Sequence, residues 1–167
     1  MTDFIRPALR TQWMVTACWG NVCASCWRER VTVGDVEAIV TLSDGLLERY
    51  RDGIGTMNLI EEGTRADDDA RTAGSTRIRD LGPRLLCTTN VILGAGLWVA
   101  GARAITSSIN LLSRRPLVSR ITNSIEDAVK WQAPLLGKPD GRAISASDLG
   151  RFAERLLAMF RDQPRSS

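Results

Sequence analysis

The chain contains no histidine. That removes the side chain most often used as a general base near neutral pH and the commonest metal ligand, and leaves acid–base chemistry to carboxylates and thiols. Lysine is nearly missing as well: of 22 basic residues only Lys130 and Lys138 are lysines. Against 19 acidic residues the formal net charge is +3, too near balance for an electrostatic case for nucleic acid. Long apolar runs are also lacking. The longest, residues 91–102 counting glycines, stops at Arg103, whereas a helical bilayer crossing needs about 20 residues. The opening Met1-Thr-Asp-Phe-Ile-Arg-Pro7 has no basic start followed by an apolar core, so no secretory signal is expected and the expected location is cytoplasmic.

What is present is an alternation of short apolar segments with helical ones. Residues 12–19 and 22–28 flank Gly20-Asn21, a pair suited to a two-residue hairpin turn with glycine leading. Period-two spacing puts Trp13, Val15, Ala17 and Trp19 on one face, continued by Val22, Ala24 and Cys26. The other face, with Met14, Thr16, Cys18, Cys23, Ser25 and Trp27, is mixed rather than wet.

Thr32-Val-Gly-Asp35 has capping-box spacing and opens a helix carrying Val36, Ile39, Val40 and Leu47, which ends near Asp52-Gly53. A strand follows at 55–61, then an acidic stretch and a helix over 67–81 that Gly74 weakens and Gly82-Pro83 stops. Leu85 to Leu93 reads as a buried central strand. Gly94-Ala-Gly96 leads into a helix over 97–113 with a stripe of Trp98, Ala102, Ile105, Ile109 and Leu112, and a strand over 117–122. Asn123-Ser-Ile-Glu126 repeats capping-box spacing before a helix with Ile125, Ala128, Val129 and Trp131. Residues 137–146 have a linker composition. A last helix, 147–163, carries Leu149, Phe152, Leu156 and Phe160 as one stripe that must cover the domain's own sheet or a second chain.

One domain over 1–136 plus linker and C-terminal helix is therefore expected. Its class is α/β, with a mixed, mostly parallel five-stranded sheet, an N-terminal hairpin and packed helices. Strand–helix–strand connections of this length favour parallel pairing.

Chemical motifs are sparse. Cys23-Ala-Ser-Cys26 has no second cysteine pair or histidine to complete a zinc site, and an odd step along a strand places its thiols on opposite faces. Cys18 and Cys23, by contrast, face each other across the hairpin within disulfide range, although a cytosolic setting favours free thiols. Cys87 reads as packing. In the Gly94-Ala-Gly96 turn, the third glycine of a dinucleotide-binding loop would fall at Val99, so a tight buried turn is the plainer reading. Glu61, Glu62, Asp67, Asp68 and Asp69 suit a helix N-terminus and lack calcium-loop spacing. No catalytic residue, metal site or cofactor is expected. Trp27 stands out as a contact residue.

The order β-β-α-β-α-β-α-β-α resembles the STAS domain of anti-sigma-factor antagonists and, more loosely, the SpoIIAA-like and SEC14-like proteins of related fold. The resemblance covers about residues 12–135 and includes the closing strand that leads to Ser124-Ile-Glu-Asp-Ala-Val-Lys-Trp131. It implies a bacterial regulatory domain that binds another protein. Kinase-switched members carry Asp-Ser-(Ser/Thr)-Gly ahead of a helix. The corresponding segment here has no such run, so only the hydroxyls of Thr64, Ser75 and Thr76 mark the place of a regulatory site. Three functions follow as expectations: a non-enzymatic regulatory or protein-interaction domain, with Phe152, Leu156 and Phe160 in partner binding or self-association; a carrier of a small apolar molecule or lipid, suggested by the apolar unit 85–113; and, last, an enzyme using carboxylates or thiols.

Overall fold

The computed structural model describes residues 8–96, 98–101, 103–104, 107 and 118–164. The N-terminal half of the sheet is built by a hairpin whose strands, β2 (Met14–Trp19) and β3 (Val22–Trp27), follow a two-residue edge strand, β1 (Leu9–Arg10). Gly20 turns the chain at φ 55°, the positive value that the first position of a II′ hairpin turn demands. Parallel strands β5 (Ile54–Ile60), β7 (Leu85–Ile92) and β8 (Ser119–Thr122) complete the sheet in the order β1-β2-β3-β5-β7-β8. The short β4 (Arg30–Val31) and β6 (Arg65–Ala66) pair separately. The main sheet thus has six strands among the described residues rather than the expected five. The additional strand, β1, is too short to show periodicity.

Helix α1 (Val33–Arg49) begins as its capping box requires: Thr32 Oγ1 accepts from the Asp35 amide, and the Asp35 carboxylate accepts from the Thr32 amide at 3.0 Å. With α2 (Asp68–Leu81) it covers one face of the sheet. The other face is covered by α3 (Ile125–Gln132) and α4 (Ala146–Arg161). There Val15, Ala17, Val22, Ala24 and Cys26 of the hairpin, in the expected phase, meet Leu149, Phe152, Leu156 and Phe160 of α4. Of the expected 97–113 helix, residues 98–101, 103–104 and 107 are helical. Ala102, Ile105, Ile109 and Leu112 lie outside the described residues. No helix among the described residues is long and apolar enough to cross a membrane.

Polar groups tie the C-terminal part down. Asn21, buried in the hairpin turn, donates to the carbonyls of Gly53 (3.1 Å) and Leu136 (2.9 Å). Tyr50 donates to Asp140 at 2.8 Å, and Ile144 packs on the main core. Residues 137–146 are therefore fastened to the domain, with a 3₁₀ turn at Pro139–Gly141. At the far end of α4, the buried Arg28 guanidinium stacks 3.9 Å from the Phe160 ring, donates to the Phe160 carbonyl and shares Glu61 with Arg161.

Candidate functional site

The two faces of the sheet differ in chemistry. The face under α3 and α4 is apolar, whereas the face under α1 and α2 presents two polar rungs although it too is covered. Parallel register aligns Cys23 with Thr56 and Thr88, Ser25 with Asn58 and Asn90, and Trp27 with Ile60 and Ile92. The side chains bond along the rungs. The Thr56 and Thr88 hydroxyls are hydrogen-bonded, Asn58 Nδ2 donates to Asn90 Oδ1 at 2.9 Å, and the Trp27 indole N–H donates to Asn58 Oδ1 at 3.3 Å. Ser25 adds a 2.9 Å bond to Thr16. Buried polar side chains are stable only when paired in this way.

Above this floor lies a cavity of about 240 Å³, roofed by Val36, Ile39 and Val40 of α1 and by Ala70, Gly74 and Ile78 of α2. Its volume is below the ~300–1,000 Å³ of sites that hold drug-sized ligands, which restricts any occupant to a small molecule. Apolar walls with a few convergent polar groups are the usual composition of such sites. Two donors in the lining are unused: Arg77 Nε and the Trp98 indole N–H are buried without a hydrogen-bond partner among the described residues. A buried donor left unpaired costs about 1–3 kcal/mol, so a hydrogen-bond acceptor on an occupant would be favoured. Arg77 is held by a 2.5 Å ion pair with Asp44, and Arg71 is paired with Asp68.

The thiols fall into two groups. Cys18 and Cys23 are directly opposite across the hairpin and hydrogen-bond to each other. That bond holds the Cys18 thiol below its usual range and raises Cys23, which burial raises further. Cys26 faces the opposite core, where burial pushes its thiol up strongly. Burial likewise pushes Cys87 up to about 11. Cys23 and Cys26 do not converge, and no group of three potential metal ligands occurs among the described residues.

The other residues singled out from the sequence are dispersed. Trp27 belongs to the cavity lining. Phe152, Leu156 and Phe160 are buried in the chain's own core, so their stripe faces the sheet and is not presented to a partner. Thr64 is buried and its hydroxyl donates to the Glu61 carbonyl at 2.7 Å; Ser75 is buried and donates to the Arg71 carbonyl at 2.9 Å. Thr76 is half-buried on α2. These three hydroxyls are engaged or shielded within the fold rather than displayed together. The acidic residues also diverge: Glu61 turns to Arg28 and Arg161, Asp67 to Arg30 at 2.7 Å, and Asp68 to Arg71. At Gly94, φ is 144° and a Cβ would come 2.7 Å from Trp98 Cδ1, so the glycine serves a tight turn, although Gly94-Ala-Gly96 is exposed rather than buried as expected. Trp98 itself lines the cavity.

Sequence reasoning missed the floor. Its signal was a repeated pattern at alternate positions, Thr56-x-Asn58-x-Ile60 and Thr88-x-Asn90-x-Ile92, in strands whose buried setting predicts only apolar residues. Compared with protein-family models, curated proteins and solved structures, the chain matches none.

Proposed function

We propose that this chain is a non-enzymatic binding domain that holds a small, largely apolar molecule carrying a hydrogen-bond acceptor. The observation that carries this reading is the cavity between apolar helix faces and a hydrogen-bonded Thr/Asn floor, with the unused donors of Arg77 and Trp98 in its lining. A ligand would gain from apolar contact with α1 and α2 at about 25 cal/mol per Å² of surface removed from water. Its acceptor would relieve a buried N–H. This is the carrier function expected from the resemblance to SEC14-like proteins, scaled down to a small ligand.

The regulatory reading, a STAS-like domain that binds another protein, is favoured by a different observation: an N-terminal hairpin followed by parallel strands added one after another in chain order. The two readings are compatible if the ligand is the signal and a partner reads it.

Native mass spectrometry of the chain purified without denaturation, together with a thermal-shift screen of small compounds such as octanoate and indole, tests the proposal. A copurified small mass or a compound at 100 times its Kd is expected. The latter adds about 2.7 kcal/mol of stability, a rise of roughly 5–10 °C for a domain of this size. Neither a bound mass nor a shift would overturn the ligand reading. A stoichiometric protein without a ligand would favour the regulatory one.

A further inference from the structure

The cysteine pair of the hairpin carries an inference independent of the cavity. Cys18 lies one residue before Trp19 and Cys23 one after Val22, and Trp19↔Val22 closes the Gly20-Asn21 turn. In a two-residue hairpin the closing pair exchanges backbone hydrogen bonds, so the next pair, Cys18↔Cys23, is of the non-hydrogen-bonded kind. Opposed residues there have Cα atoms about 4.5 Å apart, inside the 4.4–6.8 Å span of disulfides. Direct pairing places the two side chains next to each other on the same face of the hairpin. Both are free. Cys18 is partly exposed, whereas Cys23 is only 2% exposed and lies beneath α1 at the cavity wall.

We propose that Cys18 and Cys23 form a redox site at which a hydroperoxide closes a disulfide across the hairpin. Their roles follow from access and acidity. Cys18 is reachable from solvent, and the hydrogen bond from Cys23 favours its thiolate, the nucleophilic form. Its sulfur attacks the peroxide, the O–O bond breaks, and Cys18 becomes a sulfenic acid with release of water, or of an alcohol from an organic hydroperoxide. The Cys23 sulfur then attacks the Cys18 sulfur. The S–S bond forms, the S–O bond breaks, and the second water carries off the Cys23 proton. Two thiols lose two electrons in total and one peroxide gains them. A resolving thiol held beside the attacking one is the arrangement such sensors use. Cys26 and Cys87 are fully buried on the opposite face, and burial raises both thiols, so neither competes.

The test uses the full chain, reduced, freed of reductant and exposed to a small excess of hydrogen peroxide. Two of the four thiols should disappear, intact mass should fall by two hydrogen masses, and fragmentation of the peptide spanning 11–28 should place the link between Cys18 and Cys23. Dithiothreitol should restore all four thiols. Cys23→Ser should halt the sequence at Cys18 sulfenic acid, trapped by dimedone, and Cys18→Ser should slow peroxide consumption at least tenfold. The proposal is overturned by persistence of four thiols, by stepwise oxygen addition without a link, or by a link that involves Cys26 or a second chain. Equal dimedone labelling of Cys23 in Cys18→Ser would reverse the assigned roles and overturn the mechanism.

Discussion

Gly74→Leu should make the protein more stable and less able to bind. Gly74 lies in the interior of α2 and in the cavity lining, and a Cβ built on it meets nothing within 4 Å. Its φ is outside the left-handed region, so a larger residue meets no backbone strain. Replacing glycine within a helix by leucine gains about 0.7 kcal/mol of intrinsic propensity. Burying roughly half of the new side chain against Val40 and Ile78 adds about 1 kcal/mol, and fixing its rotamer costs about 0.5–1. The net gain is about 1 kcal/mol, which for a domain of this size raises Tm by roughly 2–4 °C. The same side chain takes space from an occupant in a cavity of about 240 Å³. The best compound from the thermal-shift screen should lose at least about tenfold in affinity, or 1.4 kcal/mol. Gly74→Ala is the control: it keeps the helical gain, leaves most of the space, and retains binding. Thermal melts with and without the compound measure both effects. A lower Tm for Gly74→Leu would mean that the space above the Thr/Asn floor is not free. A higher Tm with unchanged affinity would move the ligand elsewhere.

Asn21→Ala strands two buried carbonyls and should cost about 2–3 kcal/mol in urea unfolding; a loss below about 0.5 would mean that water replaces the amide. Removing residues 138–167 uncovers the apolar hairpin face, so the truncated chain should lose its cooperative thermal transition and scatter light as aggregates, and a monomer melting within a few degrees of the full chain refutes the packing described for α4. Stability should be nearly flat from about pH 6 to 8, since no histidine titrates there. At alkaline pH the sign is set by thiols that folding keeps protonated. Cys87 is raised from 9.0 to about 11, so its contribution is intact below pH 9 and lost as pH rises through 11. The loss is about 2.7 kcal/mol at 1.36 kcal/mol per pKa unit. Cys87→Ala should flatten that part of the urea-midpoint profile, and an unchanged slope would place the titration elsewhere.

The hairpin, α1 and α4 were legible because each carries a strong local signal: a Gly-Asn turn between period-two runs, a Thr32/Asp35 box, and a stripe from Leu149 to Phe160. The six-strand count was not, because Leu9–Arg10 pairs through its backbone alone and leaves no side-chain pattern. The site was less visible still. Asn58 and Asn90 are 32 positions apart in sequence and become neighbours only through parallel pairing of β5 with β7, a non-local event that neither strand announces. The Leu85–Leu93 segment carries no alternation that would mark a polar face, so Thr88 and Asn90 did not stand out. The opposed placement of Cys18 and Cys23 was readable from the turn alone, since hairpin register is local. The stripe of α4 was legible as apolar but not as intramolecular, because periodicity says which side is buried and not against what.

The packing of α4 on the hairpin has a consequence for synthesis. The inner hairpin residues Ala24 and Cys26 find their cover in Phe152 and Leu156, which the ribosome adds some 130 residues later. At about 5–20 residues per second, the nascent hairpin waits roughly 6–26 s for that cover. During this interval an apolar β-ribbon with an unpaired edge is displayed beside other nascent chains, the geometry most prone to wrong pairing. Slow translation or depletion of chaperones that shield nascent apolar segments should therefore lower the soluble yield of this protein more than that of one whose N-terminal strands are covered by the next helix to emerge.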